Sequence, residues 1–320
     1  MFLGVRIAAT SLWASPEVVT VEQASVEVGR SPGWIRRRLG VEQRARFHGL
    51  PEVQAAHAAR PILERHGAPD LLLNASATPR QLIPDTAVFV ARELGLDGIP
   101  AYSIHATCLS FVVALRHAAA LVAAGLHRRV LVVSSEISTG QVDPSEPESA
   151  ALLGDGAAAA LVTAPEGDEG LLAWVMHTHP AGAEFTEYRG AGVAHPPSDP
   201  RTTLADNRFH MNGPAIYRMA RKRVADLLDE VRDLTGLSPG DFDLVVPHQA
   251  SGNALASLPR YGFDPDRVVD IVGEYGNCIA ASIPMALAHA DARGRISRGD
   301  TVLLLGTGAG LSVAAAVLRW

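Results

Sequence analysis

Lysine is all but missing: Lys222 is the only one in 320 residues, and it sits within Arg221-Lys222-Arg223 on an expected helix surface. Schiff-base chemistry needs a lysine amine deprotonated in an apolar pocket, so this chain is not built for it. Cysteine is nearly as scarce. Cys108 and Cys278 are too few for a disulfide framework or a four-thiolate zinc site, and as free thiols they point to a reducing, cytoplasmic setting. Aromatic residues make up only 5% and the net charge is -6, so both the basic surface that neutralises phosphates and the rings that stack on bases are lacking. That composition argues against nucleic acid as a partner. No window holds the ~18 apolar residues of a membrane span. The start, Met1 to Pro16, has one Arg and an apolar stretch broken by Thr10 and Ser11, a poor match to a signal peptide.

What is present is a chain with 48% hydrophobic and 19% charged residues, too apolar to stay disordered. Its length exceeds the ~100 to 200 residues of a usual single domain. A candidate internal repeat bears on the excess, the alternative being one long doubly wound sheet. Asp70-Leu-Leu-Leu-Asn-Ala-Ser resembles Asp243-Leu-Val-Val-Pro-His-Gln, each an acid followed by an apolar run that ends in small polar residues. At nearly the same interval beyond each comes a second run, Val130 to Glu136 and Val302 to Gly308, and then an Ala/Val strand, Ala157 to Val162 and Ser312 to Leu318. Continuous Leu and β-branched runs bounded by Gly, Pro or Asp predict strands buried on both faces. The stretches between predict helices over Val53 to His66, Asp85 to Leu94, Thr107 to Ala124, Gly213 to Leu234 and Ala281 to Ala292. The fold class is α/β. The expected division is an N-terminal half over 1–165, a connecting excursion over 166–208 rich in Pro, Gly and acid, and a C-terminal half over 209–320.

Three residues stand where such a fold places chemistry. Cys108 follows the strand-like Ala101 to Ile104 and opens a helix, where free backbone N–H groups and the helix dipole are expected to favour the thiolate. His248 ends a buried strand, the position where open α/β sheets carry ligand groups. Asn277 lies in a Gly-Asn turn that enters a helix, and in the repeat frame it approaches the same helix end in its half that Cys108 approaches in the other. Each residue alone also fits a bland role: an inert core thiol, a satisfied strand-end imidazole, a turn asparagine. Two other patterns carry less. Gly306-Thr-Gly308-Ala-Gly310 has too few residues after it for a dinucleotide-binding unit, and His177-Thr178-His179 has no third metal ligand nearby.

Taken together, the blocks resemble the ketoacyl-ACP synthase III family of the thiolase fold, end to end. They are Cys108 in a small-residue helix entry, Pro247-His248-Gln249-Ala250, Gly276-Asn277 leading to Ala280-Ala281-Ser282-Ile283-Pro284, and the terminal Gly308-Ala309-Gly310. Supporting blocks are Trp34-Ile35 with Arg38, Gly40 and Val41, then Gly154-Asp155-Gly156-Ala157, His210-Met211-Asn212-Gly213 and Val317-Leu318-Arg319-Trp320. The resemblance implies two duplicated βαβαβ-type halves whose central helices lie sandwiched between two mixed sheets. It implies that Cys108 accepts an acyl group, with the N–H groups of Cys108 and Ala309 as oxyanion hole, while His248 and Asn277 stabilise the enolate of a decarboxylating malonyl-type thioester. Substrate contacts fall to Trp34, Arg38, Ile83, Asn212, Tyr217 and Ser251, and carrier-protein docking to Arg218, Arg221 and Arg260. The implied partners are acyl thioesters of CoA or of acyl carrier protein and a second copy of the chain; no metal or organic cofactor is implied. An acyltransferase that passes the Cys108 acyl group to a hydroxyl or amine remains the alternative.

Departures from the family pattern bear on the substrate. Leu109 and Ser110 follow Cys108 where a small residue and Gly are usual, and Ile83 stands for an aromatic residue at the dimer gate. Pro147 replaces the Arg that stacks with Trp34 on the CoA adenine, and Ser251 and Asn253 replace an Asn and an Arg. The expectation is a donor borne on a protein, with CoA held poorly.

Overall fold

The computed structural model describes residues 2–190 and 192–320. Its first half runs β1 (Leu3–Gly4), β2 (Arg6–Trp13), β3 (Val18–Thr20), α1 (Val21–Val28), α2 (Pro32–Leu39), β4 (Gln43–Ala45), α3 (Pro51–His66), β5 (Leu71–Asn74), α4 (Thr86–Glu93), β6 (Ala101–Ser103), α5 (Ser110–Ala123), β7 (Arg129–Glu136), α6 (Pro147–Leu152) and β8 (Gly156–Thr163). The second continues β9 (Gly170–Gly182), β10 (Thr186–Glu187), β11 (His210–Met211), α7 (Gly213–Thr235), β12 (Leu244–Pro247), α8 (Gly252–Leu255), α9 (Val272–Tyr275), α10 (Ser282–Ala292), β13 (Thr301–Gly308) and β14 (Gly310–Arg319).

Two five-stranded sheets carry the repeat. One is ordered β2-β8-β7-β5-β6 and the other β1-β9-β14-β13-β12. In each, the first two runs of the repeat pair in parallel, Leu72 opposite Leu131 and Val245 opposite Leu303, and the third returns antiparallel, Val132 opposite Ala160 and Leu304 opposite Ala316. Both sheets are mixed, as expected.

Alternation of side chains along these strands sets the layers. Leu73, Val130 and Val132 from one sheet and Val302, Leu304 and Ala316 from the other point inward onto Phe111 and Leu115 of α5 and Ile283 and Leu287 of α10. Their neighbours point outward. Leu72 and Leu131 meet α3 and α4 through Ala58, Ile62 and Val90, while Leu303 and Leu305 meet Leu227 and Val231 of α7. Five layers result, helix, sheet, helices, sheet, helix. α10 is buried at every position from Ser282 to Ala290, which explains why its sequence is apolar all round.

The stretch 166–208 is more than a connecting excursion. It opens with β9, which pairs with β14 from Gly170 opposite Arg319 to Gly182 opposite Gly310 and is integral to the second sheet. Its far half, from His177, is polar and half-exposed, and His177 Nε2 bonds Glu230 of α7 at 2.6 Å. Cross-strand pairing, invisible locally, makes it a strand.

Candidate active site

Cys108 sits at a tight elbow between β6 and α5. Thr107, just before it, has φ 51, a left-handed conformation that costs a β-branched residue energy and persists only where its surroundings enforce it. Ser110 does the enforcing: its hydroxyl donates to Thr107 O at 2.7 Å and accepts from Ala106 N at 2.9 Å. The second half repeats the device. Ile279, placed ahead of α10 as Thr107 is ahead of α5, has φ 45.

The two glycines of β13 bring the elbow to His248. A Cβ on Gly306 would lie 2.9 Å from Leu109 Cδ2 and 3.2 Å from His248 Cβ, and one on Gly308 would lie 2.6 Å from Thr107 Oγ1. Close approach, not phosphate binding, is what Gly306 and Gly308 serve. The strand then turns through Ala309, whose backbone N–H, like that of Cys108, favours the charged form of the Cys108 thiol.

His248 is held by its own backbone, His248 N donating to Leu305 O at 2.8 Å, while its buried Nδ1 has no partner. Asn277 is anchored on both sides. Its N donates to Leu152 O at 2.9 Å and its O accepts from Gly154 N at 3.1 Å, so the Gly154-Asp155-Gly156 turn seats it. Asn277 Oδ1 accepts from Ile279 N at 2.8 Å, and Nδ2 donates to Ala250 O at 3.4 Å, joining it to the loop that follows His248.

Burial governs the electrostatics. Desolvation pushes the Cys108 thiol up to about 12, and the nearby Glu136 carboxylate adds to the rise; only the two backbone N–H groups oppose it. The thiolate expected from a helix N-terminus is therefore absent from the resting site. Desolvation outweighs the helix dipole at the sulfur, although Cys108 as a residue is half-buried. Burial pulls the His248 imidazole down to about 4, so it is neutral at physiological pH.

Glu136, at the end of β7, escaped the sequence reading. It is fully buried and accepts from Thr78 N at 2.9 Å, from Thr78 Oγ1 at 2.7 Å and from Ala77 N, and burial pushes its carboxyl up to about 7. The available signal was an acid closing the apolar run Val130 to Glu136, a position with no reason to be charged unless its oxygens are used.

A cavity of about 640 Å³ leads from the surface to His248, Gly306 and Thr307, walled by α2, α6, α7 and α8. Arg38, Tyr217, Ser251, Arg218, Arg221 and Arg260 all line it. Ser251 is already engaged, its hydroxyl capping α8 by accepting from Ala254 N at 3.2 Å. Asn212 caps α7 beside the mouth, accepting from Ala215 N at 3.1 Å. Trp34 is half-buried and does not line the cavity, and the cation over its ring is Arg30, 5.7 Å from the centroid, another residue the sequence reading missed. Ile83 is not brought to the cavity; it is 85% exposed on the loop before α4. Among the described residues no group of three or more His, Cys, Asp or Glu side chains could hold a metal ion, and no helix is long and apolar enough to cross a membrane.

Residues 102–180 match the family model for 3-oxoacyl-[acyl-carrier-protein] synthase III, and residues 233–320 match the model for the C-terminal part of that family. A relative from Deinococcus radiodurans, beta-ketoacyl-[acyl-carrier-protein] synthase III 2, is 32% identical over 325 residues, 99% of this chain and 94% of that protein. Beta-ketoacyl-[acyl-carrier-protein] synthase III 3 from Streptomyces coelicolor is 34% identical over 311 residues, covering 94% of this chain and 93% of its own length. The crystal structure of the beta-ketoacyl-[acyl-carrier-protein] synthase III from Thermus thermophilus superposes with a TM-score of 0.88 at 34% identity, covering 98% of both chains.

Proposed function

The chain belongs to the 3-oxoacyl-[acyl-carrier-protein] synthase III family, and from that premise we propose that it transfers an acyl group from a thioester to Cys108 and then, by decarboxylative Claisen condensation, to a malonyl-type thioester in fatty-acid or polyketide-like biosynthesis. The observation that carries this reading is the close approach of the Cys108 elbow to β13, where Gly306 packs against both Leu109 and His248 and lines, with His248, the inner end of the cavity.

The Cys108 sulfur attacks the thioester carbonyl, the two N–H groups take up the charge on the carbonyl oxygen, and the carrier leaves as a thiol with the sulfur's proton. The malonyl-type thioester then loses its carboxylate as CO2. The electron pair left behind becomes an enolate, whose oxygen accepts hydrogen bonds from the neutral His248 imidazole and from the Asn277 N–H not used by Ala250. The enolate carbon attacks the acyl carbonyl, the carbon–sulfur bond to Cys108 breaks, and the departing thiolate takes up one proton from water. None of these steps draws on a metal or organic cofactor, and the reducing, cytoplasmic setting that keeps both cysteines free suits them.

The competing outcome, transfer to a hydroxyl or amine, is separated by one experiment. With acylated enzyme offered a malonyl thioester and an alcohol in parallel, CO2 release matched by a 3-oxoacyl product is expected; ester formation without CO2 would overturn the condensing assignment.

Two copies are expected to pair through β6. It bonds only β5, leaving a strand edge uncovered, and Tyr102 on it is exposed, as are Leu82 and Ile83 on the loop before α4. Uncovered edges with apolar side chains are rarely left to solvent. Sedimentation at micromolar concentration should give a dimer, and a stable monomer would count against this pairing.

A further inference from the structure

The cavity mouth has two unlike lips. On the α7–α8 side stand Arg218, Arg221 and Arg260, with Lys222 beside them, and among the described residues none of these cations pairs with a carboxylate. The opposite lip is the segment 143–148, which carries three acids. Asp143 pairs with Arg208 at 2.9 Å, Glu146 with His210 at 2.6 Å and Glu148 with Arg38 at 3.0 Å. The backbone fixes this lip in place, Phe209 N donating to Gln141 O at 2.9 Å.

Glu148 differs from its two neighbours in lining the cavity itself. Its Oε1 accepts from Arg38 Nε at 3.1 Å and forms an ion pair with the same guanidinium at 3.0 Å, so one carboxylate oxygen holds the guanidinium. Its Oε2 faces the start of α7, 3.5 Å from where a Cβ on Gly213 would stand, close to the positive end of a 23-residue helix. A carboxylate of the protein thus occupies the arginine and the helix end that an anionic group entering along this lip would use.

Resting on the reading of this cavity as the channel for a pantetheine thioester, we propose that Glu148 is a specificity-determining residue that disfavours CoA-borne donors and leaves the channel to donors borne on a carrier protein. The two donor classes share the pantetheine arm and differ only beyond it. A CoA nucleotide brings a pyrophosphate and a further phosphate, which on the Glu148 lip meet a carboxylate and an arginine that it already neutralises. A carrier protein brings no nucleotide; its acidic surface meets the opposite lip, where Arg218, Arg221 and Arg260 stand unpaired. Like charge works against the first and opposite charge favours the second.

The test compares single-turnover acylation of Cys108 in the full-length enzyme, read by intact mass, with one acyl group presented on CoA, on bare pantetheine and on a phosphopantetheinylated carrier protein. Glu148→Gln keeps the shape and removes the charge; Glu148→Ala also releases Arg38. Both variants should lower the half-saturating concentration for acyl-CoA relative to acyl-pantetheine by roughly 2- to 5-fold, the range of a half-exposed ion pair. The change should shrink in high salt. An adduct from all donors with the CoA-to-pantetheine ratio unchanged or raised would overturn the role of Glu148 while leaving the channel intact. No adduct from any donor in the parent enzyme would overturn the channel reading as well, so the two failures are distinguishable.

Discussion

Cys108→Ala is expected to abolish acyl-enzyme formation. No second nucleophile can stand in. Cys278 is 1% exposed, and burial pushes its thiol well above the ordinary range, so it is neither reachable nor ionised. The only lysine, Lys222, lies exposed on α7 at the outer rim. Intact mass after incubation with an acyl thioester should show one acyl group on the parent and none on the variant; an adduct that survives would sink the assignment of the nucleophile. Resting reactivity should carry a second mark. With the thiol pushed up to about 12, the thiolate fraction rises about tenfold per pH unit across the neutral and mildly alkaline range. Alkylation of Cys108 by iodoacetamide in the ligand-free enzyme should therefore climb from pH 7 to 9 without a plateau. A thiolate favoured by the helix dipole would level off instead.

That contrast marks where a linear sequence stops being informative. Strands buried on both faces leave continuous apolar runs, so β5, β7, β12 and β13 are readable, and the interval between them exposes the duplication. The same frame places Cys108 and Asn277 at corresponding helix ends, because Thr107 and Ile279 each take a positive φ just before α5 and α10. β9 is the counterexample. Gly170 to Met176 has an apolar pattern, but the stretch 166–208 as a whole reads as a connecting excursion, and only pairing with β14 makes its first part a strand. Pro180 is tolerated because β1, the strand on its other side, is two residues long and leaves that edge unpaired. Charges were least legible. The helix-dipole argument for Cys108 was sound locally, but desolvation of the sulfur reverses its sign, and neither the depth of the elbow nor the proximity of Glu136 is written near residue 108. Glu148 on Arg38 is likewise a contact across 110 residues that no local pattern announces, whereas Arg30, four residues before Trp34, was a local signal.

His248→Ala and Asn277→Ala should each keep measurable acylation and lose condensation. The N–H groups of Cys108 and Ala309 that serve acylation are backbone and survive both changes. What is lost is a donor to the enolate oxygen, and removing one preorganised oxyanion donor slows a reaction by roughly 10²- to 10³-fold, about 3 to 4 kcal/mol. The sign of the His248 shift matters here. Burial lowers it to about 4, so at pH 5 to 8 the imidazole is neutral and donates through an N–H without delivering a proton to the enolate carbon. A charged imidazolium would quench the enolate to a simple acyl thioester instead. Decarboxylation by the parent should accordingly yield 3-oxoacyl product, not the protonated by-product, down to pH 5, and the ratio of the two should not turn near the ordinary histidine value of 6.5. Asn277→Ala carries an added structural cost, because Oδ1 also caps Ile279 N in its positive-φ turn, so a thermal melt must accompany its kinetics. Asn277→Asp keeps that acceptor and removes the donor. If Asn277→Asp melts like the parent and still condenses at the parent rate, or if His248→Ala does, the enolate is stabilised by other groups and the roles given to these two side chains are wrong.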